Sequence, residues 1–258
     1  FHYHEGYYDA REREFRGFGM VEQWDVEDTS GLLGRGLIQA LPGSENSPPS
    51  RVVRFFDLGN GHRLRERYFP VSETIPMDGI PGHPQARRAL RGRVLREEVY
   101  GEDGSTQSQR PYTVTQHVYT VRQVSTPPQV PGPHATDDSY LPLRTQTFAF
   151  HFERTTDVRC VVQSTIHDGF GRVTESRTLG KGRAGSFTSD HEQQQQDDLE
   201  RFTTTSYHTL NDPESDDYDG AYTPTYLISA PAEVEQYGVD GSNDVLLGRT
   251  QMFYDGVD

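Results

Sequence analysis

Residues 7–24 have the sequence YYDAREREFRGFGMVEQW, and this stretch decides the fold that we predict for the chain. The four charged residues 11–14 cannot form a core, so they lie on a solvated face or pair across strands. Gly17 and Gly19 flank Phe18, which indicates a bend or bulge where the backbone needs a positive φ or a close approach. The stretch therefore predicts a strand, a turn and a second strand.

The composition of the whole chain indicates a protein built mainly from β-strands. Hydrophobic residues make up 32% of the 258 residues, and the chain contains 25 Gly and 16 Pro. Aromatic residues, which are included in that figure, account for 11% of the chain, and their rings favour pleated, half-buried surfaces. A chain so lean in apolar residues favours layers with one wet face over a thick globular core.

Charge and cysteine content exclude several kinds of site. The net charge of -14 argues against binding to a phosphate backbone, so we expect no nucleic-acid partner. Cys160 is the only cysteine, which rules out an intrachain disulfide and a thiolate metal cluster. No apolar run approaches the roughly 20 residues of a membrane-spanning helix. Because the chain begins at Phe1 without a methionine, we expect it to be part of a longer polypeptide.

Alternating segments separated by Gly and Pro predict long antiparallel hairpins along the chain. Phe148, Phe150 and Phe152 recur with a period of two and should share one face of a strand. A second hairpin is predicted to turn at residues 59–61. Pro84 can start a helix without losing a hydrogen bond, so one short helix is predicted near 84–91. We interpret 1–258 as a single segment with irregular loops at 31–50, 70–83, 125–142 and 181–198.

A Gly-Phe-Gly sequence occurs twice and indicates a repeated hairpin module. Residues 17–19 and 169–171 both contain it, each followed by a variable residue and then Val. Residues 254–256, Tyr-Asp-Gly, are interpreted as the start of a third copy. In this interpretation Asp and Gly make the turn, Phe anchors it and Val points inward, so that Gly-Phe-Gly is a joint between long strands. Such a unit cannot bury its face alone and must pair with its neighbours.

Several ordered blocks of sequence resemble one known family. Residues 168–173, of the form D-x-x-G-R-V, are similar to the tyrosine-aspartate (Rhs/YD) repeat. Residues 4–25, HEGYYDAREREFRGFGMVEQWD, resemble a signature in the B component of bacterial insecticidal toxin complexes. Further blocks match the same family in the same order, namely RALRGRVLREEVY at 88–100 with Asp103 and Gly104, PYTVT at 111–115, and FHFER at 150–154 before HDGFG at 167–171. The resemblance covers roughly residues 1–185.

The resemblance implies a structural role. The chain would form part of a curved shell wall of Rhs/YD-type hairpins, in a cocoon that encapsulates a C-terminal toxic effector for delivery. Its partners would be the rest of the shell, supplied by a partner C component or by repeats of the same chain, and the enclosed effector. It would be secreted and extracellular as part of a toxin complex. The residues assigned to the structural repeat signature are Tyr8, Asp9, Arg16, Gly17, Phe18, Gly19, Asp168, Gly169, Phe170, Gly171, Arg172 and Val173.

Candidate chemical groups are few, and we predict no catalytic, cofactor-binding or metal-binding residue. His2 and His4 would share a strand face, but no third metal ligand follows, which favours packing across strands. Residues 215–220 partly imitate a calcium loop but lack the glutamate that the EF-hand pattern requires. Glu97 and Glu98 are adjacent in a predicted strand, so they face opposite ways and cannot flank one substrate bond.

Two other kinds of function remain as alternatives. Exposed tyrosines and Trp24 could dock sugars on a cell surface by ring stacking, which would make the chain a carbohydrate-binding or cell-surface-binding β module. A hydrolase with a carboxylate pair is supported only by the abundance of Asp and Glu. We therefore rank the shell segment first and the hydrolase last.

Overall fold

The computed structural model confirms a mainly β protein made of antiparallel strands, with one short helix among the residues that it describes. It describes residues 1–25, 35, 49–60, 84–125, 139–154, 159–183, 201–207, 230–240 and 243–253. The elements in chain order are β1 (His2–Asp9), β2 (Glu14–Asp25), β3 (Ser50–Phe56), α1 (Pro84–Arg88), β4 (Val94–Gly101), β5 (Thr113–Ser125), β6 (Ser139–His151), β7 (Arg159–His167), β8 (Val173–Arg183), β9 (Arg201–Tyr207), β10 (Pro231–Asp240) and β11 (Asn243–Gln251).

The chain divides into two units. The first contains Phe1–Val161 and Gly182–Gln194, and the second contains Val162–Lys181 and Gln195–Asp258. β1 to β6 lie in the first unit, and the residues of β7 divide between the two. That both units belong to a single shell segment stays a prediction.

Strands of the first unit pair antiparallel in chain order, from β1 with β2 to β5 with β6. The register places Val53 of β3 opposite Glu22 of β2 and Glu98 of β4. β5 and β6 are the longest strands, with 13 residues each. Each of these strands thus pairs with the strand that follows it in the sequence, which confirms the predicted antiparallel arrangement.

Helix α1 covers one part of this sheet. Pro84 begins it, and Ala86 and Leu90 lie four residues apart, so they face the same side. Both are almost fully buried and form a cluster with Leu95 of β4 and with Tyr119 and Val121 of β5. This confirms the short helix predicted near 84–91.

The phenylalanines of β6 confirm the predicted period of two. The rings of Phe148 and Phe150 are stacked with centroids 6.3 Å apart, and those of Phe150 and Phe152 are 6.2 Å apart. Phe148 and Phe150 are buried. The same face of the sheet buries Val53 and Phe55 of β3 in a second small cluster, against which Met20 packs.

The first hairpin contains the predicted bulge but not the predicted joint. Its turn is formed by residues 10–13, whereas Gly17, Phe18 and Gly19 lie within β2. Gly17 has φ of 105°, and the β1–β2 register shifts between Tyr7 and Tyr8, next to its partner position. The positive φ and the bulge are confirmed, and the interpretation of residues 17–19 as a joint between strands is wrong.

The second unit continues with antiparallel pairs. β8 pairs with β9, β9 with β10, and β10 with β11. Phe202 of β9 and Tyr237 of β10 lie opposite each other with stacked rings 4.7 Å apart. In β11 the apolar residues Val245, Leu246 and Leu247 are all exposed. Because adjacent strand residues point to opposite faces, β11 is exposed on both of its faces.

Three of the predicted loops extended too far. Residues 139–142 belong to β6, residues 181–183 to β8 and Ser50 to β3. Pro142 suggests a loop, but it lies opposite Val121 in a consecutive stretch of β5–β6 pairs, which is bounded by a register shift on each side. Ser125 likewise belongs to β5. The predictions for 70–83, 215–220 and 254–256, and the return strand after the turn at 59–61, lie outside the described residues.

Replacing Gly17 with alanine should lower the free energy of unfolding by about 1 kcal/mol or more, because alanine disfavours its positive φ. A Cβ at Gly17 would meet no atom within 4 Å, so the effect comes from the backbone. Gly248→Ala is the matched control, since its Cβ would also meet nothing within 4 Å and its φ is not positive. Urea denaturation of the two variants measures the difference. An equal effect of both substitutions would contradict the role of the bulge.

Candidate functional site

Three strand ends in the structure share one arrangement, which we call the turn clamp. In each, an aspartate accepts backbone hydrogen bonds in a turn, an arginine binds its carboxylate, and the guanidinium lies near an aromatic ring. The three pairs are Asp9 with Arg16, Asp103 with Arg154, and Asp168 with Arg172. The first two lie in the first unit and the third lies in the second unit.

The first turn clamp holds the end of the β1–β2 hairpin. Oδ1 of Asp9 accepts hydrogen bonds from the backbone N–H groups of Arg11 at 3.0 Å and Glu12 at 3.2 Å. The Glu12 N–H in particular, with Arg11 and Arg16, lowers the pKa of Asp9. Nη2 of Arg16 lies 2.5 Å from Oδ2 of Asp9. Its Nη1 donates to the carbonyl of Gly59 at 2.9 Å, which ties the turn to the chain after β3.

The second turn clamp joins two segments that are distant in sequence. Arg154, just after β6, donates from Nη1 to Oδ2 of Asp103 at 2.6 Å and from Nη2 to the carbonyl of Gly101 at 2.6 Å. Its guanidinium lies 4.3 Å from the centroid of the Tyr112 ring. The hydrogen bond from Arg154, with those from Ser105, lowers the pKa of Asp103 to about 2. Arg154 is 7% exposed, so the fully charged group is held almost out of water.

The third turn clamp is local. Oδ1 of Asp168 accepts from the backbone N–H groups of Phe170 at 3.0 Å and Arg172 at 2.9 Å, and Nε of Arg172 donates to Oδ2 at 2.6 Å. Partial burial raises the pKa of Asp168, but the hydrogen bonds from Arg172 outweigh it and the net pKa is lowered. The Arg172 guanidinium lies 4.3 Å from the Tyr207 ring, whose hydroxyl donates to the carbonyl of Val173 at 3.0 Å.

The remaining signature residues do not occupy equivalent places in the two copies. Phe18 is half-buried in β2, 5.2 Å from the Phe15 ring, whereas Phe170 is 69% exposed in the β7–β8 turn. Tyr8 is exposed and lies opposite Phe15. Gly169 and Gly171 lie in that turn, the latter with φ of 83°, while Gly19 is buried in β2. The feature common to the two copies is therefore the ion pair between an aspartate and an arginine, and the Gly-Phe-Gly sequence does not predict its position.

A row of charged side chains crosses the first four strands. Nη1 of Arg51 lies 3.0 Å from Oε1 of Glu22, and its Nε donates to Glu102 at 2.6 Å. Nε2 of His4 lies 2.9 Å from Glu22. The Arg51 guanidinium also covers the Tyr100 ring at 4.4 Å. This ladder accounts for His4 by cross-strand pairing, as the sequence favoured.

The charged run 11–14 is not part of that ladder. Arg11, Glu12 and Arg13 are exposed in the β1–β2 turn. Glu12 and Glu14 form ion pairs with Arg88 and Arg91, at the end of α1 and just beyond it. The predicted solvated face is therefore confirmed, whereas the ion pairs of Glu12 and Glu14 join the turn to α1 and the residues after it and do not cross strands.

Groups that could act chemically are held in structural contacts. Glu97 binds Arg54 of the neighbouring strand, whereas Glu98 binds Arg96 and the Tyr100 hydroxyl, so the two glutamates have separate partners. Burial raises the pKa of the Cys160 thiol to about 12. His2 packs on Trp24 with ring centroids 4.5 Å apart. Within the described ranges no group of three His, Cys, Asp or Glu residues could hold a metal ion.

Arg154 was missed as a partner of Asp103 because 51 residues separate them. Residues 150–154, FHFER, which include Arg154, enter the sequence analysis only through their resemblance to the toxin family. The local signal that could have identified the turns is the aspartate itself, which favours Asx turns. In two of the three clamps the arginine follows that aspartate within seven residues.

Replacing Arg154 with lysine should lower the free energy of unfolding by about 2 kcal/mol, because one ammonium group cannot reproduce the bonds to Asp103 and to the Gly101 carbonyl. Arg110→Lys, at an exposed position in the same turn, is the control and should change stability little. Chemical denaturation compares the two. Equal stability of both variants would show that the second turn clamp does not hold the strand ends.

The lowered pKa of Asp103 predicts a specific dependence on acid. Its pKa in the folded chain is about 2, below the ordinary value of 3.8, so the carboxylate stabilises the fold above pH 4 and this contribution is lost as the pH falls toward 2. Asp103→Asn should therefore reduce the loss of stability between pH 5 and 2.5. Asp244→Asn, exposed in β11, serves as the control. Thermal melting across this range tests the expectation, and identical acid profiles of wild type and Asp103→Asn would contradict it.

Helix α1 has five residues. Among the residues that the structure describes, no helix is long and apolar enough to cross a membrane. The turn clamps and the ladder fix strand ends and strand register. With this geometry established, sequence and structure comparisons identify what the chain is similar to.

The comparisons agree on one family. The profile of the insecticide toxin TcdB middle/C-terminal region matches residues 85–216, and that of the TcdB middle/N-terminal region matches residues 1–32. A search of curated protein sequences gave no match. The fold is similar to the crystal structure of TcdB2-TccC3, with a TM-score of 0.63, 22% identity, and coverage of 92% of this chain and 12% of that one.

A second similar structure is the Photorhabdus luminescens Tc holotoxin pore, with a TM-score of 0.60, 22% identity, and coverage of 92% of this chain and 11% of that one. At such identities the likeness shows the fold, and this chain spans about 12% of the length of the structure with the higher TM-score. The family profiles carry the assignment, because one of them matches more than half of the residues. The chain belongs to the TcdB insecticide toxin family and is a middle region of the B component of bacterial toxin complexes.

Proposed function

We propose that the chain is a structural, non-catalytic section of a toxin-complex shell that encapsulates a C-terminal toxic effector for delivery. The observation that carries this proposal is the arrangement of β1 to β6 as consecutive antiparallel neighbours, with the β1–β2 and β4–β5 turns clamped. Such a unit is stiff along each strand and can be extended sideways by further strands. The family membership supports the same role.

The state of the outermost described strands supports lateral extension. Among the described residues β11 pairs with β10 alone, and β1 pairs with β2 alone. Leu247 of β11 is 60% exposed, and Tyr3 of β1 is 55% exposed. A strand with unpaired backbone groups and apolar side chains is a template for another strand. In the proposed wall the neighbouring strands come from the rest of the shell.

The partners follow from the same proposal. The rest of the shell, from a partner C component or from repeats of the same chain, would cover the strand edges, and the effector would lie inside. The similar structures include TcdB2 in complex with TccC3. As a part of such a toxin complex the chain would be secreted and act extracellularly.

A carbohydrate-binding or cell-surface-binding module is the second candidate, and exposed rings on the first hairpin favour it. Tyr8 is 58% exposed and Phe15 is 50% exposed, directly opposite each other. Rings so placed could stack on a sugar. Trp24, the other ring considered, is half-buried against His2 and is less suited to this role. A glycan array in which the chain binds no sugar above background would remove this candidate.

Hydrogen exchange tests the shell proposal at β11. Its amides should exchange at least roughly tenfold more slowly in the complete toxin complex than in the isolated chain, because a neighbouring strand would bond to its free edge. β5, which is paired on both sides with β4 and β6, is the internal control and should change little. Fast exchange of β11 in the complete complex would contradict the proposed wall, since its edge would then remain open.

A further inference from the structure

A cleft lies beside the first turn clamp. It lies in the first unit between the β1–β2 turn, the chain just after β3, and helix α1. Its volume is about 460 Å³. Pockets that hold organic ligands typically range from about 300 to 1,000 Å³, so the space accommodates several side chains or a short peptide.

Two ion pairs form part of the cleft wall. Arg16 is bound to Asp9 at 2.5 Å, and Arg88 lies 3.4 Å from Glu12. All four side chains line the cleft. Each carboxylate there already faces a guanidinium group, so these pairs leave no net charge.

Two further arginines make the cleft positive. Arg11 and Arg87 also line it, both are exposed, and neither forms an ion pair with any residue that the structure describes. They approach from different elements, Arg11 from the β1–β2 turn and Arg87 from α1. The cleft therefore carries an excess of two positive charges in a chain whose net charge is -14. This local reversal of sign would attract an anion that the rest of the surface repels.

The uncharged walls indicate what kind of anion fits. Tyr7 and Pro84 supply apolar surface next to the guanidinium groups. A small inorganic anion would use the guanidinium groups alone. A peptide would use the guanidinium groups with its side-chain carboxylates and the apolar surface with its methylenes.

We propose that this cleft binds an acidic peptide segment, whose carboxylates pair with Arg11 and Arg87. The fork of each guanidinium group matches a carboxylate in bidentate geometry. Because the two arginines project from separate elements, a segment with carboxylates on neighbouring residues can engage both at once. The proposal is independent of the shell role, since it concerns one face of the first hairpin and not the strand edges.

The test measures binding of fluorescein-labelled hexaglutamate to the full chain by fluorescence anisotropy, with hexaglutamine as the neutral comparison. The double variant Arg11→Gln, Arg87→Gln should weaken hexaglutamate binding roughly tenfold, because two charge-assisted contacts are lost. The matched control is Arg13→Gln with Arg110→Gln, which removes the same charge from exposed positions that do not line the cleft. It should change the affinity less than about twofold.

Three results would overturn the proposal. The first is the absence of saturable hexaglutamate binding to the full chain. The second is an equal loss of affinity in the two double variants, which would show attraction by overall charge alone. The third is displacement of the peptide by inorganic phosphate at concentrations no higher than those of unlabelled hexaglutamate, which would identify a small-anion site. Loss of shell assembly in either variant would concern the proposed shell role and not the peptide site. Peptide binding is measured in a separate assay.

Discussion

The bond between an arginine guanidinium group and an aspartate in a turn is the contact that holds three of the described strand ends, and in two of them the arginine is buried. Each aspartate first closes its turn by accepting backbone N–H groups, and this leaves a second carboxylate oxygen for the arginine. Arg154 also donates a hydrogen bond to the Gly101 carbonyl, so it fixes the end of β6 against the end of β4. A Cβ at Gly101 would come within 2.5 Å of that guanidinium group, which shows why the position holds glycine. Strand ends are thereby positioned without a large core.

In the described part of the first unit the apolar clusters are small, and charged side chains are buried on the same face. The buried clusters of the first unit hold a few residues each. On the face that buries Val53, Arg96 and Glu98 are buried together, with the Tyr100 hydroxyl on the second carboxylate oxygen. A buried ion pair repays little more than its desolvation, but a slip of one residue would move each charge to the opposite face. The buried pair of Arg96 and Glu98 therefore contributes mainly to fixing which face of β4 is buried, and so to the register of the strand.

Local sequence patterns predicted the strands and the helix, but they could not predict contacts between residues that are far apart in the sequence. The period of two at Phe148 and Phe150, and Pro84 ahead of Ala86, each depend on neighbouring residues, so the sequence suffices. Arg154 with Asp103 depends on how β5 and β6 return the chain across 51 residues, which no local spacing contains. The two Gly-Phe-Gly sequences are identical but have different structures. Asp168 directly precedes the second one and forms a turn there, whereas Arg16 precedes the first one, which lies within β2.

The chain's strong preference for arginine follows from these contacts. Lys181 is the only lysine among 25 basic residues. In the first two turn clamps one guanidinium group donates to a carboxylate and to a carbonyl at once, and that of Arg154 also lies flat over Tyr112. The ladder requires the same of Arg51, which joins two glutamates above Tyr100. An ammonium group has no plane to stack and no fork to bridge two acceptors in a fixed direction. The described strands, whose apolar clusters are small, thus use arginine where a thicker core would use apolar packing.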